Sequence, residues 1–436
     1  LKKRVSRAFS SAAAIVAALT LTPLSAWADG ACPVLKASAP AAEVAAFSRL
    51  DADVEAGLGH APAGLYPGAV LLVAHHGRIV RLQAFGDASY LTVDPDGKAI
   101  PARAPRAMAA DEIFDLASMT KVVATTAALM HLVDQGRLHL TDKLGDLLPA
   151  FAGTDKADIT LQQLLTHRAG LWEWQPTWLF QHPAGNALPF LARLPRRYGI
   201  GERWSYSDLG FMILGGIVAK TVNEPLNAYV TREIYKPLEM TDTGYLPSPT
   251  LRSRIAATSQ GDAYQQRMAQ TGKPYPLAMP EDIQNFSGYR TNFLSGETND
   301  ANSWLSWNGV AGHAGLFSTA TDVARYAQTL LNGGCYGSWR LASAETVSRF
   351  EQSPYDQKQA LGFRRLSIPG VSTPLFGHPG FTGGNFAIAP DLDLTVILLT
   401  NRLHRPDEPG ASYPVLTPVW NHVVADAVSL ASNAKN

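Results

Sequence analysis

The apolar, β-rich runs of this chain lie at its two ends, and that distribution restricts the fold more than any other feature. Near the start, Ala69–Ala74 and Ile79–Leu82 flank His75-His76-Gly77-Arg78, the pattern of a hairpin. Near the finish, Asn385–Ala389 and Leu394–Asn401 alternate or run apolar, with Pro390-Asp391-Leu392-Asp393 as the turn between them. Helical patterns fill the interval. Ser118–Gln135 carries a broad apolar face from Val122, Val123, Thr126, Ala127, Leu129, Met130 and Leu132, and Gly136 stops it. Further helices are predicted at Leu161–Leu165, Leu209–Val222 and Ala320–Leu331, the last with Thr319 and Asp322 as an acidic variant of the capping box. Ala42–Gly57 and Leu416–Leu430 also read as helical. One sheet assembled from both ends, with a mostly helical insertion between them, is an α+β layout. Ser259–Gly309 is polar, with scattered Trp and Gly, and reads as long loops.

Composition narrows the partners. Of 436 residues, 46% are apolar and 17% charged, and Lys+Arg equals Asp+Glu at 37 each. A neutral chain gives no electrostatic reason to expect nucleic acid or an anionic membrane. At the N-terminus, Lys2, Lys3, Arg4 and Arg7 precede the apolar Ala12–Leu24, and Ala26-Trp27-Ala28 fits a small-x-small cleavage pattern. Residues 1–28 therefore read as a signal peptide, 29–41 as an Ala/Pro/Ser-rich linker and 42–436 as the functional domain. That implies a periplasmic or secreted location. The apolar stretch is short for a membrane span. Lipidation at Cys32 is disfavoured, because Asp29-Gly30-Ala31 lacks the expected apolar residue. Cys32 and Cys335 are the two cysteines; export permits a bridge between them, and free thiols are the alternative. No Cys/His spacing suggests zinc, and no metal or cofactor is expected. His75 and His76 are adjacent on a strand, so their side chains diverge and a surface role beside the turn is expected.

Ser118-Met119-Thr120-Lys121 is a Ser-x-x-Lys element at the start of a helix. Positions three apart share a helix face, so the lysine can sit beside the hydroxyl. The helix N-terminus favours developing negative charge. Serine needs such help, because its hydroxyl is a weak nucleophile without a base. The element alone is weak evidence: Ser432-Asn433-Ala434-Lys435 matches it too, in a tail unsuited to catalysis.

Three segments in order carry a resemblance: Ser118-x-x-Lys121, Tyr206-Ser207-Asp208 and His378-Pro379-Gly380. With Leu164–Leu171, Gly312–Ser318 and Gly377–Gly383 around them, the chain resembles the penicillin-recognising serine hydrolases from roughly residue 60 to 425. These include class C β-lactamases, low-molecular-weight penicillin-binding proteins and family VIII esterases; the subgroup it looks most like is penicillin-binding protein 4B-type, DD-carboxypeptidase-like proteins. The resemblance implies a β-lactamase/transpeptidase-like fold with an antiparallel sheet. It implies Ser118 as nucleophile, Lys121 and Tyr206 as proton-transfer partners, and an oxyanion hole from the N–H groups of Ser118 and Phe381. Asp208, His378, Gly380 and Phe381 become the candidate substrate-binding residues. A neighbouring ammonium favours a Tyr206 phenolate. Gly380 leaves room for a substrate to approach the strand backbone.

The departures from the family pattern bear on substrate. Asp208 stands where an Asn is usual; ionised, it only accepts hydrogen bonds and would pair with Lys121. His378-Pro379 replaces a Lys-Thr or His-Thr pair, so capture of a substrate carboxylate is weakened. The expected substrate is a small molecule or a peptidoglycan-derived D-Ala-D-Ala peptide, or a carboxyl ester; a β-lactamase or a penicillin-binding sensor is the alternative. His167 and His313 read as structural. Trp172, Trp174 and Trp178 fit a pocket wall or core equally well.

Overall fold

The computed structural model describes residues 31–180, 185–408 and 412–434. The expected signal peptide lies outside them. Both ends of the described chain meet in one seven-stranded antiparallel sheet. Its strands are β1 (Gly68–His75), β2 (Arg78–Val93), β3 (Ala99–Ala107), β4 (Arg364–Leu366), β5 (Leu375–Pro379), β6 (Asn385–Ala389) and β7 (Leu394–Thr400). The order across the sheet is β3-β2-β1-β7-β6-β5-β4. The two halves join where β1 pairs with β7, from Ala69 opposite Thr400 to His75 opposite Leu394.

Side-chain alternation divides this centre between two cores. Val70, Leu72, Ile397 and Leu399 face the helical lobe, packing with Val323, Ala324 and Ala327 of the Ala320–Leu331 helix. Leu71, Val73, Val396 and Leu398 face the opposite layer, with Leu50, Val54, Val423 and Val424. Each such Val, Leu or Ile contributes about 1.5–3 kcal/mol by leaving water. A one-residue slip of β1 would exchange the two sets, so the register is fixed by both layers.

Several elements differ from their sequence-based expectation. The Ala42–Gly57 helix is two helices, Ala41–Phe47 and Leu50–Glu55. The polar 259–309 segment contains a helix at Ala263–Thr271. His75 is buried rather than superficial: the hairpin turns on His76 and Gly77, both at positive φ, and His75 Nδ1 sits 2.6 Å from Glu43 Oε1. Thr319 caps the Ala320–Leu331 helix, but the Asp322 carboxylate is taken up by Asp242, Thr243 and Arg325. The helix after Ser118 starts with a 3₁₀ turn at Ala117–Met119, runs as a π-helix over Lys121–Thr126, and becomes α-helical over Ala127–Asp134. Two outside hydroxyls explain the wide register: Tyr326 donates to the Val122 carbonyl at 2.8 Å and Tyr235 to the Val123 carbonyl at 3.3 Å. Donors inserted into a helical ladder displace its usual partners. No helix among the described residues is long and apolar enough to cross a membrane.

Residues 31–39 are fastened to the domain. Cys32 bridges to Gly337 through its backbone, and its sulfur forms a disulfide with Cys335, Cα–Cα 5.9 Å, closing a loop over a separation of 303 residues. Constraining the unfolded chain in this way is worth about 2–4 kcal/mol. Cys335→Ser, or reduction of the wild type, is therefore expected to lower the unfolding free energy by the same amount, read as a fall in the denaturant midpoint. An unchanged midpoint would show that the bridge contributes nothing to stability.

Candidate active site

The lead-in to Ser118 is an unusual piece of backbone. Ala117 adopts φ +43°, a left-handed conformation that costs an L-residue roughly 1–2 kcal/mol. Asp115 holds it there: its buried Oδ1 accepts from the Ala117 N–H at 2.8 Å. Its Oδ2 accepts from the Asn299 N–H at 2.6 Å, and its carbonyl accepts from Thr382 Oγ1 at 2.6 Å. One residue thus fastens together the Ser118 turn, the 299–300 loop and the turn after β5. Burial pushes the Asp115 carboxyl up to about 6, against the pull of those N–H groups.

Ser118 is partly exposed at the floor of a cleft of about 170 Å³. Lys121 Nζ, fully buried, lies 3.0 Å from Ser118 Oγ, 3.1 Å from the His313 carbonyl and 2.7 Å from Asp208 Oδ1. It also stands 5.0 Å from the centre of the Tyr206 ring. Burial alone would discharge the ammonium, but the Asp208 carboxylate and the Tyr206 hydroxyl outweigh it and hold Lys121 above its ordinary value. Tyr206 moves the other way from the phenolate expectation. Burial raises its hydroxyl; the attraction of Lys121 is too small to reverse this, and Asp208 adds to the rise. The resting site therefore contains an ammonium, a carboxylate and a neutral phenol.

Tyr206 and Asp208 are set by the turn into the Asp208–Val222 helix. Ser207 caps that helix, its hydroxyl accepting from the Gly210 N–H. His167 braces the same turn: its Nδ1 accepts from the Ser207 N–H at 3.0 Å, and its ring packs 4.6 Å from that of Tyr206. Its structural role is thus to position two candidate residues. His313 has a comparable place, its carbonyl on Lys121 and its Nε2 2.9 Å from Asp300 Oδ1.

The third segment contributes less directly. His378 is buried, its Nδ1 donating to the Pro379 carbonyl at 2.7 Å, and it does not line the cleft. Burial and then Lys121 bring it down to about 3, so it is neutral and supplies no cation for a substrate. Gly380 also stands off the cleft. A Cβ there would come within 2.5 Å of the Leu116 carbonyl, so its small size serves the protein's own backbone rather than a substrate. Phe381 does line the cleft, its ring 5.6 Å from Tyr264. Of the three tryptophans only Trp174 reaches the cleft; Trp178 packs behind it at 5.8 Å, and Trp172 donates to the Pro195 carbonyl.

Asn299, Asp300, Tyr264 and Tyr275 also line the cleft and were not legible as site residues. They belong to the polar segment that carries no strong periodicity. The competing Ser432 sits at the other end of the chain, on the Thr417–Ala434 helix, with its hydroxyl donated to the Val428 carbonyl. Among the described residues no cluster of His, Cys, Asp and Glu is arranged to hold a metal ion.

The profile described as Beta-lactamase matches residues 50–416. The chain belongs to the Beta-lactamase family. Within it, the chain is 35% identical over 370 residues to a Bacillus subtilis protein named N-acetylmuramyl-L-alanine amidase, covering 78% of each. It is 33% identical over 368 residues to a putative D-alanyl-D-alanine carboxypeptidase of Escherichia coli K12, covering 78% of this chain and 80% of that one. A penicillin-binding protein homologue from Caulobacter crescentus has the same fold, with TM-score 0.65 at 19% identity over 91% of this chain and 99% of its own. The family and the carboxypeptidase-named relatives make the chain a serine hydrolase.

Two expectations test the electrostatics. Removing the Asp208 charge in Asp208→Asn makes loss of a proton easier at both Lys121 and Tyr206. The ascending limb of the kcat/KM–pH profile should therefore move to lower pH; a limb that stays put, or moves up, contradicts the assignment. The second concerns stability. His167, His378 and His404 are all buried with lowered pKa, the last two at about 3 against an ordinary 6.5. The unfolded chain binds more protons than the folded one in that window, so stability present above about 6.5 is lost as pH falls toward about 3. Asp115, raised to about 6, Glu351, raised to about 7, and the raised Asp53 and Asp322 have the opposite sign, but the lowered carboxyls of Asp134, Asp155, Asp158, Glu202, Asp300 and Asp356 act in the same direction as the three histidines. Denaturant midpoints should fall steadily across this range.

Proposed function

We propose that the chain is an exported hydrolase that forms an acyl-enzyme at Ser118 and cleaves an amide of cell-wall origin. The observation that carries this is the position of Ser118 Oγ, 3.0 Å from a buried Lys121 at the floor of an open cleft. Both curated relatives carry names for cell-wall amide cleavage, at D-alanyl-D-alanine in one and at N-acetylmuramyl-L-alanine in the other. The basic head, apolar core and Ala26-Trp27-Ala28 site of residues 1–28 support export and a periplasmic or secreted location.

At rest the Lys121–Tyr206 pair is fully protonated, and the reactive form is the one that has given up a proton. Ser118 then attacks the substrate carbonyl while its own proton enters the pair. The tetrahedral oxyanion is held by the N–H groups of Ser118 and Phe381, and the pair returns the proton to the departing amine. Water repeats the cycle on the acyl-enzyme. Asp208 keeps Lys121 oriented and charged. A second reading, carboxyl-ester hydrolysis, is favoured by one observation: the neutral His378 leaves this segment without a cation for a substrate carboxylate.

The test is to incubate the purified protein with a labelled penicillin, a p-nitrophenyl ester and a D-Ala-D-Ala peptide, following covalent mass gain and product release together. Wild type should acylate and turn over at least one of them. Ser118→Ala should lose the adduct and at least about 10³-fold in kcat, with Lys121→Ala comparably impaired. Stable adduct with no release would make the protein a penicillin binder rather than a hydrolase. Equal activity in wild type and Ser118→Ala would remove Ser118 from the mechanism.

A further inference from the structure

The cleft in front of Ser118 contains an acid to which the proposed reaction assigns no task. Asp300 lines it, and its carboxylate is only 20% exposed. Its Oδ1 accepts from His313 Nε2 at 2.9 Å and from the Ser303 N–H at 2.7 Å. Burial raises this carboxyl, but His313 and the Ser303 N–H pull harder, and the net shift is below the ordinary carboxylate range. Asp300 is therefore a fixed negative charge, and its Oδ2 takes part in neither bond.

The groups that stabilise its charge, His313 first and Lys121 with it, do not line the cleft. Among the described residues no lysine or arginine lines the cleft, and Lys121 is paired with Asp208. Two arginines stack on lining aromatics without lining the cleft themselves. Arg402, over Phe381, donates to the Phe381 and Pro414 carbonyls, and Arg267, over Tyr264, is paired with Asp407. The other walls are aromatic or neutral: Trp174, Tyr264, Tyr275 and Asn299. A substrate carboxylate placed here would meet a like charge in a partly desolvated site, whereas an N–H or O–H would meet a waiting acceptor.

We propose that Asp300 is a specificity-determining residue of the Ser118 site: it accepts a hydrogen bond from an N–H or O–H of the substrate and excludes substrates with a free carboxylate beside the scissile bond. The inference rests on Ser118 as nucleophile and deepens that reading. It selects, within cell-wall amides, uncharged or internal bonds over chain-terminal ones.

Two peptides that differ in one group test it: an acetylated peptide ending in D-Ala-D-Ala with a free carboxylate, and the same peptide as its C-terminal carboxamide. Wild type should show kcat/KM higher for the carboxamide by about 10-fold or more, the scale of a like-charge contact. Asp300→Asn should bring the ratio toward 1, chiefly by improving KM for the carboxylate peptide. A wild type that prefers the free carboxylate overturns the proposal, and that comparison needs no variant to fold. So does an Asp300→Asn protein in which both peptides change equally. If neither peptide is cleaved while the p-nitrophenyl ester is, the proposed substrate class is wrong and Ser118 stands. Ester hydrolysis that survives Ser118→Ala is a different result, and it removes the nucleophile instead.

Discussion

Lys121 puts an ammonium with no solvent exposure at the join between the sheet and the helical lobe, and much of the site is arranged to keep it there. An isolated buried charge costs several kcal/mol, and the group would otherwise shed its proton. Here Asp208, the His313 carbonyl and Ser118 Oγ surround it at 2.7, 3.1 and 3.0 Å. Each contact recruits a different part of the chain: the Asp208–Val222 helix, the loop before Leu316–Ser318, and the Ser118 turn. The demand to neutralise one cation therefore draws together the segments that carry the candidate residues. It also explains why an acid is tolerated where the family pattern has an amide. Asp208 supplies a full countercharge that an amide could not.

The parts of the fold that were legible in the sequence are those governed by a single period. Leu161–Leu165, Ala320–Leu331 and Asn385–Ala389 have the predicted bounds, because burial on one face or in one sheet determines them. The stretch after Ser118 was legible as helical but not as π-helical. Its register depends on the Tyr326 and Tyr235 hydroxyls, which come from residues more than a hundred positions away. The same holds for His75, whose burial depends on Glu43 and the first helix.

The candidate site divides along the same line. Ser118, Lys121, Tyr206 and Asp208 stand in short ordered motifs, and the structure brings them together. The far wall does not. Tyr264, Tyr275 and Asn299 lie in a polar stretch whose position is fixed by tertiary hydrogen bonds, such as Gln265 to the Asn299 carbonyl and Asp262 to Arg290. No local pattern announces such residues. His378 and Gly380 show the reverse case. Their motif is recognisable, yet His378 is buried and Gly380 is fitted against the Leu116 carbonyl, and neither lines the cleft.

The pairing of β1 with β7 also has a meaning in time. The first strand of the sheet waits for a partner made more than three hundred residues later, and contacts of such long range are slow to form. Thr382, which fastens the Ser118 turn through Asp115, arrives with the same late segment. A growing chain that ends at Leu366 already holds Ser118, Lys121 and Tyr206, but it lacks β5 to β7 and the hydroxyl that anchors the turn. Such a chain has the candidate side chains without the contacts that position them. The turn that presents Ser118 is thus among the last parts of the molecule to be completed.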